Sequence, residues 1–142
     1  MNWPTNLFGS ASHRTSEVST DDFIKQYEAK ERAANAAASV NGKHYTEYVE
    51  TVKSLKREGK LGEAEKLLIR LVAATEAEAL ITSLGVAPWY YEQLAIICRK
   101  QGRTMDERRI LERYVQQPKA LGAKPEKLEA RLQALIVRKP KA

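Results

Sequence analysis

Apolar positions recur at steps of three and four along most of this chain and nowhere alternate, so the pattern predicts helices and no strand. A first helix is expected from Ser19 or Thr20, where a hydroxyl can accept from backbone N–H groups left over at the helix start. Asp21 and Asp22 there complement the positive helix end. Phe23, Ile24, Tyr27, Ala34 and Val40 supply its apolar side. The run Ala33, Ala34, Ala36, Ala37 and Ala38 predicts close packing on a neighbouring helix, and Asn41 with Gly42 stops it. A second helix covers about His44 to Glu58, with Tyr45, Tyr48, Val49, Val52 and Leu55 on one side and Gly59 closing it. The third and longest carries Leu61, Ala64, Leu67, Leu68, Leu71, Val72, Leu80, Ile81 and Leu84 up to Gly85. Pro88 suits the first turn of a fourth helix, followed by Trp89, Tyr90, Tyr91, Leu94, Ile97 and Cys98 and closed by Gly102. A fifth, from about Thr104, buries Ile110, Leu111, Tyr114 and Val115 and stops before Pro118. Pro125 opens a sixth, with Leu128, Leu132, Leu135 and Ile136 inward.

Composition agrees with this helical reading. Seven Gly and five Pro in 142 residues leave little room for loops, and 43% hydrophobic with 30% charged residues is ordinary for a water-soluble domain. Residues 1–18 mix Asn, Pro, Gly, Ser, Thr and His without a period and read as a flexible arm ahead of one helical domain over 19–138, with 139–142 a basic tail. In the arm, Trp3, Leu7 and Phe8 are either a short docking motif or the scattered hydrophobes common at chain ends, and the second reading is preferred. No apolar run reaches the ~18 to 20 residues of a membrane span, and MNWPTNLFGSAS lacks a basic start followed by an apolar core, so a cytoplasmic protein is expected. The single Cys98, among Leu94, Ile96 and Ile97, is expected to be a small buried hydrophobe. Net charge is +6 and unevenly placed: residues 99–142 hold 13 basic and five acidic groups.

Aligning Gly59 with Gly102 sets Tyr48 opposite Tyr91, Leu55 opposite Cys98, Leu68 opposite Leu111 and Leu71 opposite Tyr114, an internal repeat of helix, glycine turn and helix. With these residues the chain resembles the tetratricopeptide repeat (TPR) family over about residues 44–118. Tyr48 falls on the aromatic that opens a unit's first helix, Leu55 on its inner position, Gly59 on the turn, Ala64 on the small contact residue and Leu68 on the bulky one after it. The second unit matches through Tyr91, Leu94, Ala95, Gly102 and Leu111, and departs where Glu107 and Tyr114 stand at small positions. The family period of about 34 residues is also exceeded, the excess falling in ATEAEALITSL. The string APWYYEQLAIICRKQGR followed by ILERY is similar to small bacterial TPR-like helical proteins. The resemblance implies an all-α fold of stacked antiparallel hairpins, a TPR-like solenoid of about six helices.

Catalytic and metal chemistry find few candidates. There are two histidines and three aspartates, and no HExxH, paired Cys, GxSxG or phosphate-cradling glycine loop, so no enzyme activity, metal or cofactor is expected. Binding is better provided for. The resemblance implies a concave groove lined by Thr46, Val49, Lys53, Lys56 and Arg57 in the first unit and Trp89, Glu92, Ile96, Arg99 and Lys100 in the second. Five of these ten are basic and one is tryptophan, which suits an acidic or extended peptide segment held by charge-assisted hydrogen bonds and cation–π contact. The bland alternative is that Lys56, Arg57, Arg99 and Lys100 only complement helix C-termini. A noncatalytic adaptor is therefore the first expectation. A basic nucleic-acid-associated accessory protein is the second, and a structural subunit the third, in which a homodimer completes a stack that two repeats leave short.

Overall fold

The computed structural model describes residues 19–120 and 125–137. They form six α-helices: α1 Thr20–Ala37, α2 Val49–Arg57, α3 Leu61–Thr82, α4 Pro88–Lys100, α5 Thr104–Val115 and α6 Glu126–Val137. The arm over 1–18 and the basic tail fall outside the described residues. The all-α expectation holds apart from one element. Between α1 and α2, β1 (Ser39–Val40) and β2 (Lys43–His44) pair antiparallel, and Tyr45–Tyr48 makes one 3-10 turn. Asn41 and Gly42, with φ of 50° and 81°, therefore do more than stop α1. Two consecutive positive-φ residues match the strand twist of a tight hairpin, which Asn-Gly favours above other pairs.

Ser19 caps α1 through a hydrogen bond from the Asp22 N–H at 3.1 Å. The helix then departs from its expected face. Phe23, Ile24 and Tyr27 are exposed, and Ala34 is the residue of α1 that is buried. From Tyr27 onward α1 reaches the body, where it lies along the second half of α3. The buried residues of that half of α3 are Val72, Ala74, Thr75 and Ala79, while Leu80 is exposed. Ala73 and Ala74 meet α1 beside Ala37, where small side chains let the two backbones approach closely, and Leu84, just past α3, stays exposed as well.

The packing order follows the chain: α3 against both α2 and α4, α4 against α5, and α5 against α6. Val52, Leu68, Leu71, Val72, Tyr91, Leu94, Ile97 and Leu111 fill the centre, each nearly inaccessible. Burial of this kind contributes about 1.5–3 kcal/mol per large side chain. Val115 and Ile136, expected inward, lie on outer surfaces. The two glycine turns repeat each other bond for bond. Gly59 and Gly102 have φ of 75° and 70°. The N–H of Lys60 reaches the Leu55 carbonyl at 2.9 Å, and that of Arg103 reaches Cys98 at 2.9 Å. In both, one 6→1 bond closes the first helix and a left-handed glycine redirects the chain into the second.

The α3–α4 connection is held from two sides. Thr75 Oγ1 accepts from the Ala87 N–H at 3.1 Å, and the Val86 N–H donates to the Pro118 carbonyl at 2.8 Å, within a parallel bridge between Val86 and Lys119. Glu76 ties three helices together. It accepts from the Tyr91 hydroxyl at 2.8 Å and from Arg113 through Nε at 2.7 Å and Nη2 at 2.6 Å. Tyr114 stacks at a tilt on Tyr91, and its buried hydroxyl has no hydrogen-bond partner among the described residues. The two tyrosines should therefore respond oppositely to loss of the oxygen. Tyr91→Phe is expected to lower stability by about 1.5–3 kcal/mol, because a buried bond to a carboxylate is lost. Tyr114→Phe is expected to raise it by about 1 kcal/mol, because an unsatisfied group is removed. Thermal melts of the two variants check the pair of signs.

Candidate functional site

The residues expected to line a groove lie on α2, α4 and the 3-10 turn before α2. Each of the two helices ends on basic residues, Lys56 and Arg57 or Arg99 and Lys100, which sit well at the negative C-terminal end. One side chain of α2 reaches the middle of α4. Lys56 Nζ donates to Gln93 Oε1 of α4, and burial lowers the Lys56 ammonium below its usual range, with the nearby Lys100 charge adding to the shift and Glu92 opposing it. Lys56, Arg57 and Lys100 take part in no ion pair among the described residues. Lys53 lies 3.6 Å from Glu50 on an exposed turn of the same helix. Val49, packed against the core, and Ile96 are half-buried, and Thr46 is exposed.

Arg99 is placed elsewhere. Its Nε donates to Glu107 Oε1 of α5 at 2.9 Å, and Arg131 of α6 reaches the same carboxylate through Nε at 2.7 Å and Nη2 at 3.2 Å. Glu107 is 1% exposed. Burial alone would raise its carboxyl, but the two guanidiniums outweigh that and hold it below the usual carboxylate range. Glu92 is also occupied, by Lys127 of α6 at 2.6 Å. Trp89 is half-buried at the opposite end of α4, edge-on to Tyr90 with ring centroids 5.1 Å apart. Eleven residues of helix, about 16 Å, separate it from Lys100. The structure thus joins Lys56 to Gln93, leaves Lys53, Arg57 and Val49 along α2 and Lys100 at the end of α4, keeps Trp89 apart and turns Arg99 to a structural pair.

A second polar cluster joins the 3-10 turn to α3. His44 Nδ1 lies 2.9 Å from Thr46 Oγ1 and also faces the Thr46 N–H at 3.3 Å, while Nε2 lies 2.9 Å from Glu78 Oε2. The Glu47 side chain returns to the His44 N–H, closing a capping box. The Tyr45 hydroxyl donates to Glu78 Oε1 at 3.1 Å, and the Tyr90 hydroxyl, pushed up to about 12 chiefly by burial, donates to the Tyr45 carbonyl. The row of Thr46, His44 and Glu78 has the residue types of a nucleophile relay, but the imidazole sits where it caps the turn and anchors it to α3.

Sequence reasoning did not single out Gln93, Glu78, Lys127 or Arg131. Glu107 alone carried a signal, a carboxylate at a position where the repeat pattern places a small residue. Among the described residues no group of three or more His, Cys, Asp or Glu side chains could hold a metal ion, and no helix is long and apolar enough to cross a membrane. No protein-family model, no curated protein and no solved structure matches the chain.

Proposed function

We propose that this chain is a noncatalytic protein-interaction module, a TPR-like adaptor whose α2 and α4 face holds an acidic or extended segment of a partner protein. One observation carries the reading: Lys56 of α2 reaches the Gln93 amide of α4, and Lys56, Arg57 and Lys100, the basic residues that close these two helices, take part in no ion pair among the described residues. Unpaired cations held close together repel one another, and an acidic ligand relieves that repulsion while forming charge-assisted hydrogen bonds. The matching turns at Gly59 and Gly102 support the stacked-hairpin arrangement. In this arrangement, Val49 and Ile96 give the ligand an apolar floor, and Trp89 offers a ring to its far end.

The competing nucleic-acid reading draws on the basic C-terminal half. Many of its described guanidiniums are already matched: Arg99 and Arg131 to Glu107, Arg103 to Glu65 and Asp106, Arg108 to Glu112, and Arg113 to Glu76. Phosphate contact would have to break these pairs, so the adaptor reading is preferred. Titration of acidic peptides into wild type and into a Lys56→Glu, Lys100→Glu variant tests it. At least a tenfold loss of affinity is expected, about 1.4 kcal/mol. Equal binding by both proteins overturns the reading. Retention on nucleic acid that falls steeply with salt and survives the double substitution replaces it with the second reading.

A further inference from the structure

Phe23, Ile24 and Tyr27 share one side of α1, at helical spacings of three and four, and stay 62%, 47% and 62% exposed. Tyr27 also lines a groove of about 350 Å³ between α1 and the end of α3, together with Ala34, Thr82 and Leu84 and the charged rim of Lys30, Glu31 and Glu78. Leu84 is itself 67% exposed. Single exposed hydrophobes need no explanation, but here Tyr27 and Leu84 line one groove and Phe23 and Ile24 continue the same side of α1 toward its start, the kind of unpartnered face that marks an interaction site.

We infer that this groove is the docking site of the chain's own leading segment, with Trp3, Leu7 and Phe8 as the apolar anchors. Reach is the first argument. Residue 19 caps α1, so the segment starts at the end of the helix that carries the stripe. Tyr27 lies eight residues along α1, about 12 Å from Ser19. The eleven residues from Phe8 to Ser19 extend to about 36–40 Å, and as a coil they span roughly 17–20 Å. That length exceeds the gap without being wasteful, and a tether so matched gives an effective concentration in the millimolar range. Charge is the second argument. Residues 1–12 contain no ionisable side chain, so docking brings no side-chain charge into the groove, whose rim sets Lys30 against Glu31 and holds Glu78 through His44 and the Tyr45 hydroxyl. An acidic segment suited to the α2 and α4 face has no such match here.

The two tryptophans make a direct test, since Trp3 sits in the segment and Trp89 on α4. Fluorine NMR of the full chain carrying fluorotryptophan gives one resonance for each, assigned with Trp3→Phe. In wild type the Trp3 resonance is expected away from its position in a peptide of residues 1–18. In Tyr27→Glu, and separately in Leu84→Glu, it should move to the peptide position while the Trp89 resonance stays in place and reports an intact fold. Both substituted side chains are largely exposed, so neither variant disturbs the core. A wild-type Trp3 resonance already at the peptide position, or one that neither substitution moves, overturns the inference. So does a shift that disappears on dilution, which assigns the groove to a second copy of the chain.

Discussion

Gly85→Ala is expected to lower the melting temperature by about 10 °C, more than any other single methyl addition at a described glycine. Its φ of 86° is the first cost, about 1 kcal/mol for a residue with a Cβ. The second is contact. A Cβ there would stand 2.3 Å from the Lys119 carbonyl carbon, 2.5 Å from the Ala120 nitrogen and 2.6 Å from the Lys119 oxygen. These are backbone atoms, so no rotamer change relieves the clash. The 118–120 segment has to move, and with it goes the bond from Val86 to Pro118. Together the two costs come to about 3 kcal/mol. Gly59 and Gly102 are the controls, because both have positive φ but nothing within 4 Å of a new Cβ. Alanine at either should cost about 1 kcal/mol, from backbone strain alone. Calorimetry on the three variants decides the matter, and a Gly85→Ala melt equal to that of Gly102→Ala would show that the bridge does not form in solution.

Glu107→Ala should cost a similar amount, about 3 kcal/mol, by a different route. Breaking a buried pair leaves its partner uncompensated, at 3–5 kcal/mol for full burial. The low end applies, since the Arg99 and Arg131 side chains are 47% and 28% exposed and can recover some hydration. The effect also has a pH signature. The folded-state carboxyl lies below its ordinary value, so the stabilisation it provides is complete above the unfolded-state value, near pH 4.3, and is lost as pH falls through the folded value. Urea melts across the acid range should show wild type and Glu107→Gln separated by a constant margin at neutral pH and converging under acid. Parallel curves throughout would falsify this account of the cluster. Because Arg131 belongs to α6, hydrogen exchange should speed up there before it does in α4.

Local signals in the sequence were enough for the hairpins. Pro88 opens α4, Gly59 and Gly102 close α2 and α4 with a left-handed residue, and the stripes through Leu68 and Leu111 run inward. The failures share a physical cause. Periodicity shows that a helix has an apolar side, and it cannot show whether anything lies against that side. Phe23, Leu80, Leu84 and Ile136 all continue a regular pattern onto faces that stay exposed. Conversely, Ala74 is buried where α1 meets α3, and Thr75 where the Ala87 N–H reaches its hydroxyl, tertiary events without a local signature. The Asn41–Gly42 dipeptide is a local signal with two meanings, since the pair that turns this hairpin also ends helices. At the candidate site, basic character could be read from spacing. The Gln93 contact to Lys56 and the diversion of Arg99 could not, since each depends on which helices meet.

The unequal lengths of the hairpin arms have one more consequence. With 22 residues, α3 is about 33 Å long, against about 18 Å for the 12-residue α5 in the same place of the second unit. The surplus is not a loop insertion. It is rigid helix, and it forms the ledge on which α1 rests. The two parts are thus an obligate couple in the chain's architecture. Trimming α3 to the length of α5 would leave α1 with no surface to occupy, and removing α1 would lay the close-packed alanine side of α3 open to water. Neither change need alter the glycine turns, so the length of α3 decides whether this chain can carry α1.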